Sequence, residues 1–372
     1  LPYAPAGPLH VRWSGPDVDP PTETEPPHGD GVPGADDPRV LAARLERAFA
    51  LSRQGHLAAA LVEFEQVAAA REKTLGHAHP DALDARQEAA YVLGLLGRHL
   101  DAHRVGTAVL ALREAQAGAD HPETLRCRHN LAYNLNRLGR LEESHRLAQE
   151  VAAARARVLG THHPDTLASR FEVAYALGRL GRWEEALSAY RELAEDRERV
   201  LGAHHPETLA ARYETGLNLG RLGRAAEALA LYRELAAARA AAQGGSHPET
   251  LRARHGIGVN LGRLGRWKEA LAEARDTAAL RAGALGPEHP DTLISRREIA
   301  VALGWSDRWE EALPVYRQVA AARDRVLGPS HPDSLTSGND LAHALERLGR
   351  RAEATAVYQR VAHARTTHVR QL

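Results

Sequence analysis

The apolar positions of the chain recur every 42 residues from residue 37 onward. When the first residue of each unit is numbered column 1, column 15 is always Leu, column 12 is Ala or Gly, and column 24 is Ala except for Ser144. At about 100° per residue, columns 5, 8, 11, 12, 15 and 18 share one side of a helix, and columns 6, 10, 13 and 17 lie opposite. The pattern predicts an amphipathic helix in the first half of every unit.

The units also share the same breaks, apart from Asp307 at column 19 of unit 7 and Arg370 at column 40 of unit 8. His-Pro opens seven units and Asp37-Pro38 opens the first, and proline suits the first turn of a helix because its N–H is not needed there. Glycine near column 19 predicts a turn, and glycine at column 40 predicts a left-handed helix cap. We therefore predict helix A, a turn, helix B and a loop in eight units, which start at residues 37, 79, 121, 163, 205, 247, 289 and 331.

A single helix pair cannot bury its apolar side alone, so neighbouring pairs must stack into a continuous core. Small residues at columns 12 and 24 let helices approach closely, while leucines and the helix B tyrosines fill the remaining space. These tyrosines are Tyr190, Tyr232, Tyr316 and Tyr358. The predicted fold is an all-α solenoid over residues 37–372.

The columns resemble those of the tetratricopeptide repeat (TPR) family. The family's small, Leu, Gly, Ala and Tyr positions correspond to Ala174, Leu177, Gly181, Ala186 and Tyr190. The 42-residue step with His-Pro-Asp-Thr-Leu and Leu-Gly-Arg is similar to the longer repeats of kinesin light chains and of many bacterial proteins. The resemblance implies a right-handed superhelix whose helix A side binds peptides or partner proteins, with no catalytic residues. It also implies that such an array can be the C-terminal arm of an NB-ARC-type (STAND) signalling ATPase.

Three places depart from the regular repeat. Unit 7 has Ser306-Asp307 where units 2 to 6 and unit 8 have Leu-Gly. Pro314 lies near the second turn of its helix B, where it is expected to remove one backbone hydrogen bond and bend the helix. Unit 8 has no further capping helix in this sequence, so we expect an open apolar face and self-association through it.

Residues 1–36 differ in kind from the repeats. Nine prolines, scattered glycines and few apolar residues cannot build a core, so we predict a disordered or polyproline-like arm. We interpret this arm as a spacer rather than as a ligand for an aromatic groove.

Composition excludes several functions. The 48 basic and 48 acidic residues give a net charge of +0, which supplies no basic field for nucleic acid or an acidic membrane. No apolar run reaches the ~18 residues of a membrane span, and the single Cys127 has no partner for an internal disulfide. We predict a cytoplasmic protein. Its arginine-rich, lysine-poor composition suggests a GC-rich bacterial source such as an actinobacterium, and the absence of Met fits either a non-standard start codon or a piece of a longer chain.

Histidine is the residue type that most suggests site chemistry. Doublets such as His162/His163 could hold an ion, but equivalent sites on successive units are at least a helix spacing, ~8–10 Å, apart, whereas zinc ligands lie ~2.0–2.1 Å from the metal. The helix-start role explains the periodicity, so we predict no metal and no cofactor. No nucleophile with a base and no phosphate-binding loop is found, and we interpret Cys127 as a packing residue, so we predict that the protein is not an enzyme.

Columns 10, 13 and 17 hold the candidate binding residues, because they lie opposite the predicted core. The candidates are Tyr91, Tyr133, Tyr175, Asn130, Arg137, Arg179, Arg221, Arg263, Glu172 and Glu214. In kinesin light chains column 10 tends to be an asparagine that holds the backbone of the bound peptide, and here only Asn130 matches it.

Two interpretations of these columns remain open. Glutamates and arginines on neighbouring helices could neutralise each other as solvated pairs of little energetic value. Alternatively, a row of guanidinium groups beside aromatic rings could receive a carboxylate-bearing or extended segment along units 2 to 5. The predicted function is a protein-interaction scaffold, and the alternative is the sensor or inhibitory arm of an NTP-dependent regulator.

Overall fold

The computed structural model describes Gly34 and residues 36–369, which form sixteen α-helices and no β-strand. In chain order they are α1 (Pro38–Arg53), α2 (Leu57–Leu75), α3 (Pro80–Leu95), α4 (His99–Ala117), α5 (Pro122–Arg137), α6 (Leu141–Leu159), α7 (Pro164–Arg179), α8 (Trp183–Leu201), α9 (Pro206–Arg221), α10 (Ala225–Gln243), α11 (Pro248–Arg263), α12 (Trp267–Leu285), α13 (Pro290–Trp305), α14 (Trp309–Leu327), α15 (Pro332–Arg347) and α16 (Arg351–Val369). We call the odd-numbered helices A helices and the even-numbered ones B helices. The predicted all-α array of helix pairs is confirmed, whereas the predicted arm, residues 1–36, lies outside the described residues except for Gly34 and Asp36.

Packing divides the array into two compact bodies. The N-terminal body ends at Glu185 and the C-terminal body begins at Ala186. Within each body, consecutive helices pack together and successive A helices also touch, such as α3 with α5 and α11 with α13. Each core is a series of clusters between helix pairs, around Phe64 in the N-terminal body and Tyr232 in the C-terminal body. No helix in this part of the chain is long and apolar enough to cross a membrane.

Histidine begins every A helix from α3 onward. The Nδ1 atom of His163, for example, accepts a hydrogen bond from the backbone N–H of Asp165 at 3.1 Å, and proline occupies the first helical position. In α1 the carboxylate of Asp37 accepts the equivalent bond from Arg39 at 2.8 Å. These bonds satisfy an N–H group that has no partner within the helix. The predicted helix-start role of the His-Pro column is confirmed.

The glycine at column 40 ends the B helices α2, α4, α6, α10, α12 and α14 in a conformation that differs from the predicted one. Gly160 has φ 99° and ψ 157°, so it is not in the left-handed helical region, where ψ is near 47°. Its N–H still bonds to the carbonyl of Ala156 at 3.2 Å, and its carbonyl accepts from the N–H of His163 at 3.4 Å. The large ψ directs the chain out of the helix towards the next His-Pro, and only glycine adopts this region readily.

An arginine at column 35 links six of the B helices to the A helix that follows. Nη1 of Arg197 and Nη1 of Arg239 donate to the backbone carbonyls of Glu207 and Glu249 at 2.9 and 2.8 Å. Both arginine side chains are almost completely buried. The same bond to the column 3 carbonyl is made by Arg71, Arg155, Arg281 and Arg323. This contact was not among the predicted features, although Arg occupies column 35 in all eight units.

The small columns are as tightly packed as predicted. Ala174 and Ala186 are fully buried. Ser144, the exception at column 24, is 2% exposed and its hydroxyl donates to the carbonyl of Ala132 at 2.7 Å. This hydrogen bond explains how a polar residue fits an alanine position.

Enlarging a small column should therefore strain the core. We expect Ala174→Leu to lower the free energy of unfolding by about 1 to 3 kcal/mol, because extra methylene groups force neighbouring side chains and helices apart. Urea denaturation followed by circular dichroism measures this difference. The control is Ala152→Leu on the half-buried side of α6, which should cost less, and an unchanged denaturation midpoint for Ala174→Leu would contradict the packing.

The irregular unit 7 keeps the repeat conformation. Asp307 replaces the column 19 glycine and adopts φ 57°, a left-handed conformation that Asp tolerates better than most residues. Its carboxylate accepts a hydrogen bond from Nε1 of Trp309 at 3.2 Å. Pro314 lies inside α14, which nevertheless runs from Trp309 to Leu327 without a break.

The last described helix, α16, carries a polar outer side. Leucine at column 25 of units 4 to 7 is replaced by Thr355, which is exposed, as are Gln359 and Arg360. Tyr358 is 36% exposed, so it does not fill a gap between helices as the other helix B tyrosines do. These residues leave little apolar surface on α16 for the predicted self-association, which stays a prediction.

Candidate functional site

The tyrosines at column 13 form a row on the A helices of the N-terminal body. Tyr91 is half-buried, and Tyr133 and Tyr175 are each 7% exposed. Burial, with Glu88 and Tyr133 nearby, raises the pKa of Tyr91 to about 12. Burial also raises the pKa of Tyr133, and the nearby Tyr175 acts in the same direction. The structure therefore brings the three tyrosines together, but Tyr133 and Tyr175 present little ring surface for stacking.

The residues at column 10 are more buried than we predicted from their position opposite the core. Glu88 is 5% exposed and forms an ion pair with Arg126, which lies at column 6 of the next unit. Glu172 is 7% exposed, and Asn130 is half-buried. The paired interpretation thus holds for Glu88, although its partner lies at column 6 and not at column 17.

The arginines at column 17 of the N-terminal body lie nearer the surface. Arg137 and Arg179 are half-buried at the last positions of α5 and α7. Nη1 of Arg179 donates to Oδ1 of Asn136 on α5 at 3.1 Å. Among the described residues, no carboxylate forms an ion pair with either guanidinium group. The mutual neutralisation of columns 10 and 17 is therefore not the arrangement in this body.

The same columns in the C-terminal body differ in exposure. Arg221 and Arg263 are exposed, whereas Glu214 is only 6% exposed. Oε1 of Glu214 is buried and has no hydrogen-bond partner among the described residues. Burial raises the pKa of this carboxyl group to about 7, although Arg221 and Arg252 act in the opposite direction. Glu214 thus holds its proton far more tightly than an exposed glutamate.

Tryptophan at column 21 makes contacts that were not among the predicted binding features. In the C-terminal body, the guanidinium group of Arg347 lies 4.8 Å from the ring centre of Trp309. One unit earlier, Trp305 occupies the arginine position and stacks on Trp267, with ring centres 5.4 Å apart and planes at 7°. The sequence signal for these contacts is a Trp at column 21 of one unit together with an Arg or Trp at column 17 of the next unit.

Metal-ligating groups and the single cysteine are also candidates for site chemistry among the described residues. The described residues contain no group of three or more His, Cys, Asp or Glu side chains placed to hold a metal ion. Cys127 is 2% exposed, its thiol donates to the carbonyl of Gly106 at 3.4 Å, and burial raises its pKa to about 12. A thiol with so high a pKa is a poor nucleophile, in keeping with a packing residue.

Comparisons with known proteins give the same kind of fold. One sequence model of the tetratricopeptide repeat matches residues 40–81 and 124–165, and a second matches residues 165–241, 216–283 and 291–365. No curated protein sequence matches the chain.

Three solved structures illustrate the similarity. Nearly identical TPR-like repeats from a Podosopora anserina protein described as a kinesin light chain are 29% identical, with a TM-score of 0.51 over 56% of this chain and 98% of that one. BtubC (BKLC) from P. vanneervenii is 16% identical, with a TM-score of 0.53 over 61% of this chain and 92% of that one. A Pyrococcus horikoshii STAND protein with a TPR sensor is 12% identical, with a TM-score of 0.60 over 88% of this chain and 46% of that one. Because repeat models and helix-pair geometry agree along the array, the chain belongs to the tetratricopeptide repeat family.

Proposed function

We propose that the protein is a non-enzymatic scaffold that binds an extended segment of a partner protein on the A helices of its N-terminal body. TPR repeats typically mediate protein–protein interactions, and the family supplies no catalytic residues. The proposed binding residues there are Tyr91, Asn130, Tyr133, Arg137, Glu172, Tyr175 and Arg179. In the C-terminal body, Glu214, Arg221 and Arg263 occupy the same columns and are proposed to bind in the same way. The cytoplasmic location and the bacterial origin stay predictions.

The row of column 17 guanidinium groups is the observation that carries this proposal. Arg137 and Arg179 lie near the tyrosine row, and no carboxylate in the described chain pairs with them. A planar guanidinium can hold a carboxylate through two parallel hydrogen bonds, which gives both energy and orientation. A segment with acidic side chains therefore fits this face better than a basic one.

Reversing both charges should abolish capture of the native partner. We expect Arg137→Glu combined with Arg179→Glu to remove that partner from a pull-down out of the source cell, because like charges would then oppose the acidic segment. Quantitative mass spectrometry of the recovered proteins measures the loss.

The matched control reverses two arginines on B helices. Arg104 and Arg146 are exposed on α4 and α6, so Arg104→Glu combined with Arg146→Glu changes the net charge equally and should leave capture intact. Equal recovery of every partner by both double variants would refute the proposed binding face.

The alternative function is the sensor arm of an NTP-dependent regulator. The Pyrococcus horikoshii protein carries its TPR array as such a sensor, and this chain spans 46% of that protein. The alternative predicts a P-loop in the reading frame upstream of Leu1, and sequencing that stretch of the gene decides it. A scaffold without an ATPase domain predicts no P-loop there.

A further inference from the structure

A cavity of about 310 Å³ lies on the A-helix side of units 6 and 7, within the C-terminal body. Its lining residues are Gly258, Val259, Gly262, Arg263, Trp267, Ala270, Glu298, Val301, Ala302 and Trp305. The volume is at the lower end of the ~300–1,000 Å³ typical of ligand pockets, so it suits a single side chain rather than a large molecule. None of its residues except Arg263 belongs to the proposed binding face.

The aromatic wall of the cavity is rigidly built. The ring of Trp267 lies so close to Gly262 that any side chain at 262 would contact it at 2.8 Å. Trp305 stacks on Trp267 but is itself 68% exposed, so one of its faces is open to an incoming group. Among aromatic side chains, an exposed indole face is the strongest partner for a cation.

In the next repeat, an arginine of the protein itself lies against the equivalent tryptophan. There, Arg347 lies over Trp309 at 4.8 Å, and Trp309 packs on Gly304 just as Trp267 packs on Gly262. Trp305 replaces the arginine in unit 7, so the unit has an aromatic wall without its own cation. A guanidinium group from another molecule would restore the pairing.

The charge of the cavity also favours a cation. Glu298 lines it and lies 3.4 Å from Nη1 of Arg297, but Arg297 uses Nε and Nη2 to bind both carboxylate oxygens of Asp340, at 2.6 and 3.2 Å. With all three side chains ionised, these residues carry one excess negative charge; burial raises the pKa of Glu298, whereas Arg297 and Arg323 act in the opposite direction. Glu88, at the same column, has Arg126 of the next unit as a partner, whereas the equivalent residue for Glu298 is Thr336.

The one basic residue of the lining points elsewhere. The guanidinium group of Arg263 lies against Gly220 on α9, where any side chain at 220 would collide with Nη1. Nη1 is also 3.5 Å from Oδ1 of Asn260 on its own helix. The stem of Arg263 therefore contributes apolar surface to the cavity while its charge is directed towards α9.

We propose that this cavity binds an arginine side chain of a partner segment, with the guanidinium group between the open face of Trp305 and the carboxylate of Glu298. The inference rests on the proposed function, because a partner protein supplies the arginine. It adds a second, oppositely charged point of recognition to the acidic segment expected at Arg137 and Arg179. Val259 and Val301 would contact the methylene groups of the ligand.

The test uses short capped peptides with one central arginine, citrulline or leucine between glycines. The full chain is labelled with 5-fluorotryptophan, and its ¹⁹F signals are assigned by single Trp→Phe variants. We expect the arginine peptide to shift the signals of Trp267 and Trp305 saturably, with citrulline and leucine binding at least about tenfold more weakly, because only arginine forms charge-assisted hydrogen bonds. Equal affinity of the three peptides, or shifts only at other tryptophans, would overturn the proposal.

Two variants and a control separate charge from folding. Glu298→Gln should remove the preference for arginine over citrulline. Trp305→Arg should abolish binding, because it supplies an internal guanidinium in an arrangement that unit 8 already accommodates; unchanged binding would count against the site. Glu46→Gln, at the same column of unit 1, should change nothing.

The outcomes also distinguish this site from the proposed function. The Arg137→Glu and Arg179→Glu double variant should bind the arginine peptide normally. If that variant loses the native partner while wild type ignores the peptide, only the cavity assignment fails. If the peptide binds and the partner is retained, only the N-terminal binding face fails.

Discussion

Replacing Arg239 by alanine should lower the free energy of unfolding by about 2 to 5 kcal/mol, because it removes a large buried side chain together with its hydrogen bonds. Arg239 is 3% exposed, donates to the carbonyl of Glu249 at 2.8 Å and lies 3.2 Å from its carboxylate. Its guanidinium group also lies 5.4 Å from the ring centre of Tyr213. The alanine variant leaves a cavity and a carbonyl without its donor, and urea denaturation measures the combined loss.

The array supplies its own control for this prediction. Arg365 occupies the same column of unit 8, but it is exposed and no helix follows α16 in the described chain. Arg365→Ala should therefore leave the denaturation midpoint nearly unchanged. Arg239→Met should cost less than Arg239→Ala, because methionine restores packing without the hydrogen bonds. Equal effects at Arg239 and Arg365 would show that the column acts through helix propensity alone.

Replacing Glu214 by glutamine should stabilise the protein above pH 7 by up to ~3 kcal/mol, since each pKa unit corresponds to ~1.4 kcal/mol. The folded-state pKa is about 7 and the reference value is 4.5. The folded state therefore binds more protons than the unfolded state between these values, and the wild type loses stability as the pH rises from 4.5 through 7. Below pH 4.5 the carboxyl group is protonated in both states, so the two proteins should have equal stability.

Measuring both proteins at pH 4.5, 6 and 8 isolates this group, because other titrations cancel in the difference. Glu227→Gln is the contrasting variant. The hydrogen bond from Arg224 lowers the pKa of Glu227. Removing this carboxylate should therefore destabilise the protein slightly at neutral pH and should not stabilise it at any pH. A Glu214→Gln variant that is less stable than wild type at pH 8 would contradict the buried, unpartnered carboxylate.

The two proposed recognition points make different demands on the partner. Under these proposals, Arg137 and Arg179 bind an acidic segment on the N-terminal body, whereas Glu298 binds an arginine on the C-terminal body. A partner with both features would be selected by two opposite charges at two places, which excludes uniformly charged competitors. Salt should weaken both contacts, with the more exposed one losing more affinity.

Local chemistry along the sequence determined the elements of this protein. The His-Pro start, the glycine breaks and the small residues at columns 12 and 24 act within one helix or between adjacent helices, so the sequence predicted helix order and start positions correctly. The predicted conformation of Gly160 was wrong, because the ψ angle of this residue depends on where the next helix lies. A sequence pattern shows that the chain turns there but not in which direction it leaves.

Tertiary structure alone decided which polar residues are buried and which are free. Glu88 and Glu214 share a column, yet one pairs with Arg126 and the other has an unpartnered oxygen, because the residue that faces each belongs to another helix. The tyrosine row could be predicted from the sequence, but the cavity beside Trp305 could not, because it forms only where α11 and α13 pack together. Periodicity assigns a residue to a side of its own helix, whereas burial, charge pairing and open space depend on what the neighbouring helix places against it.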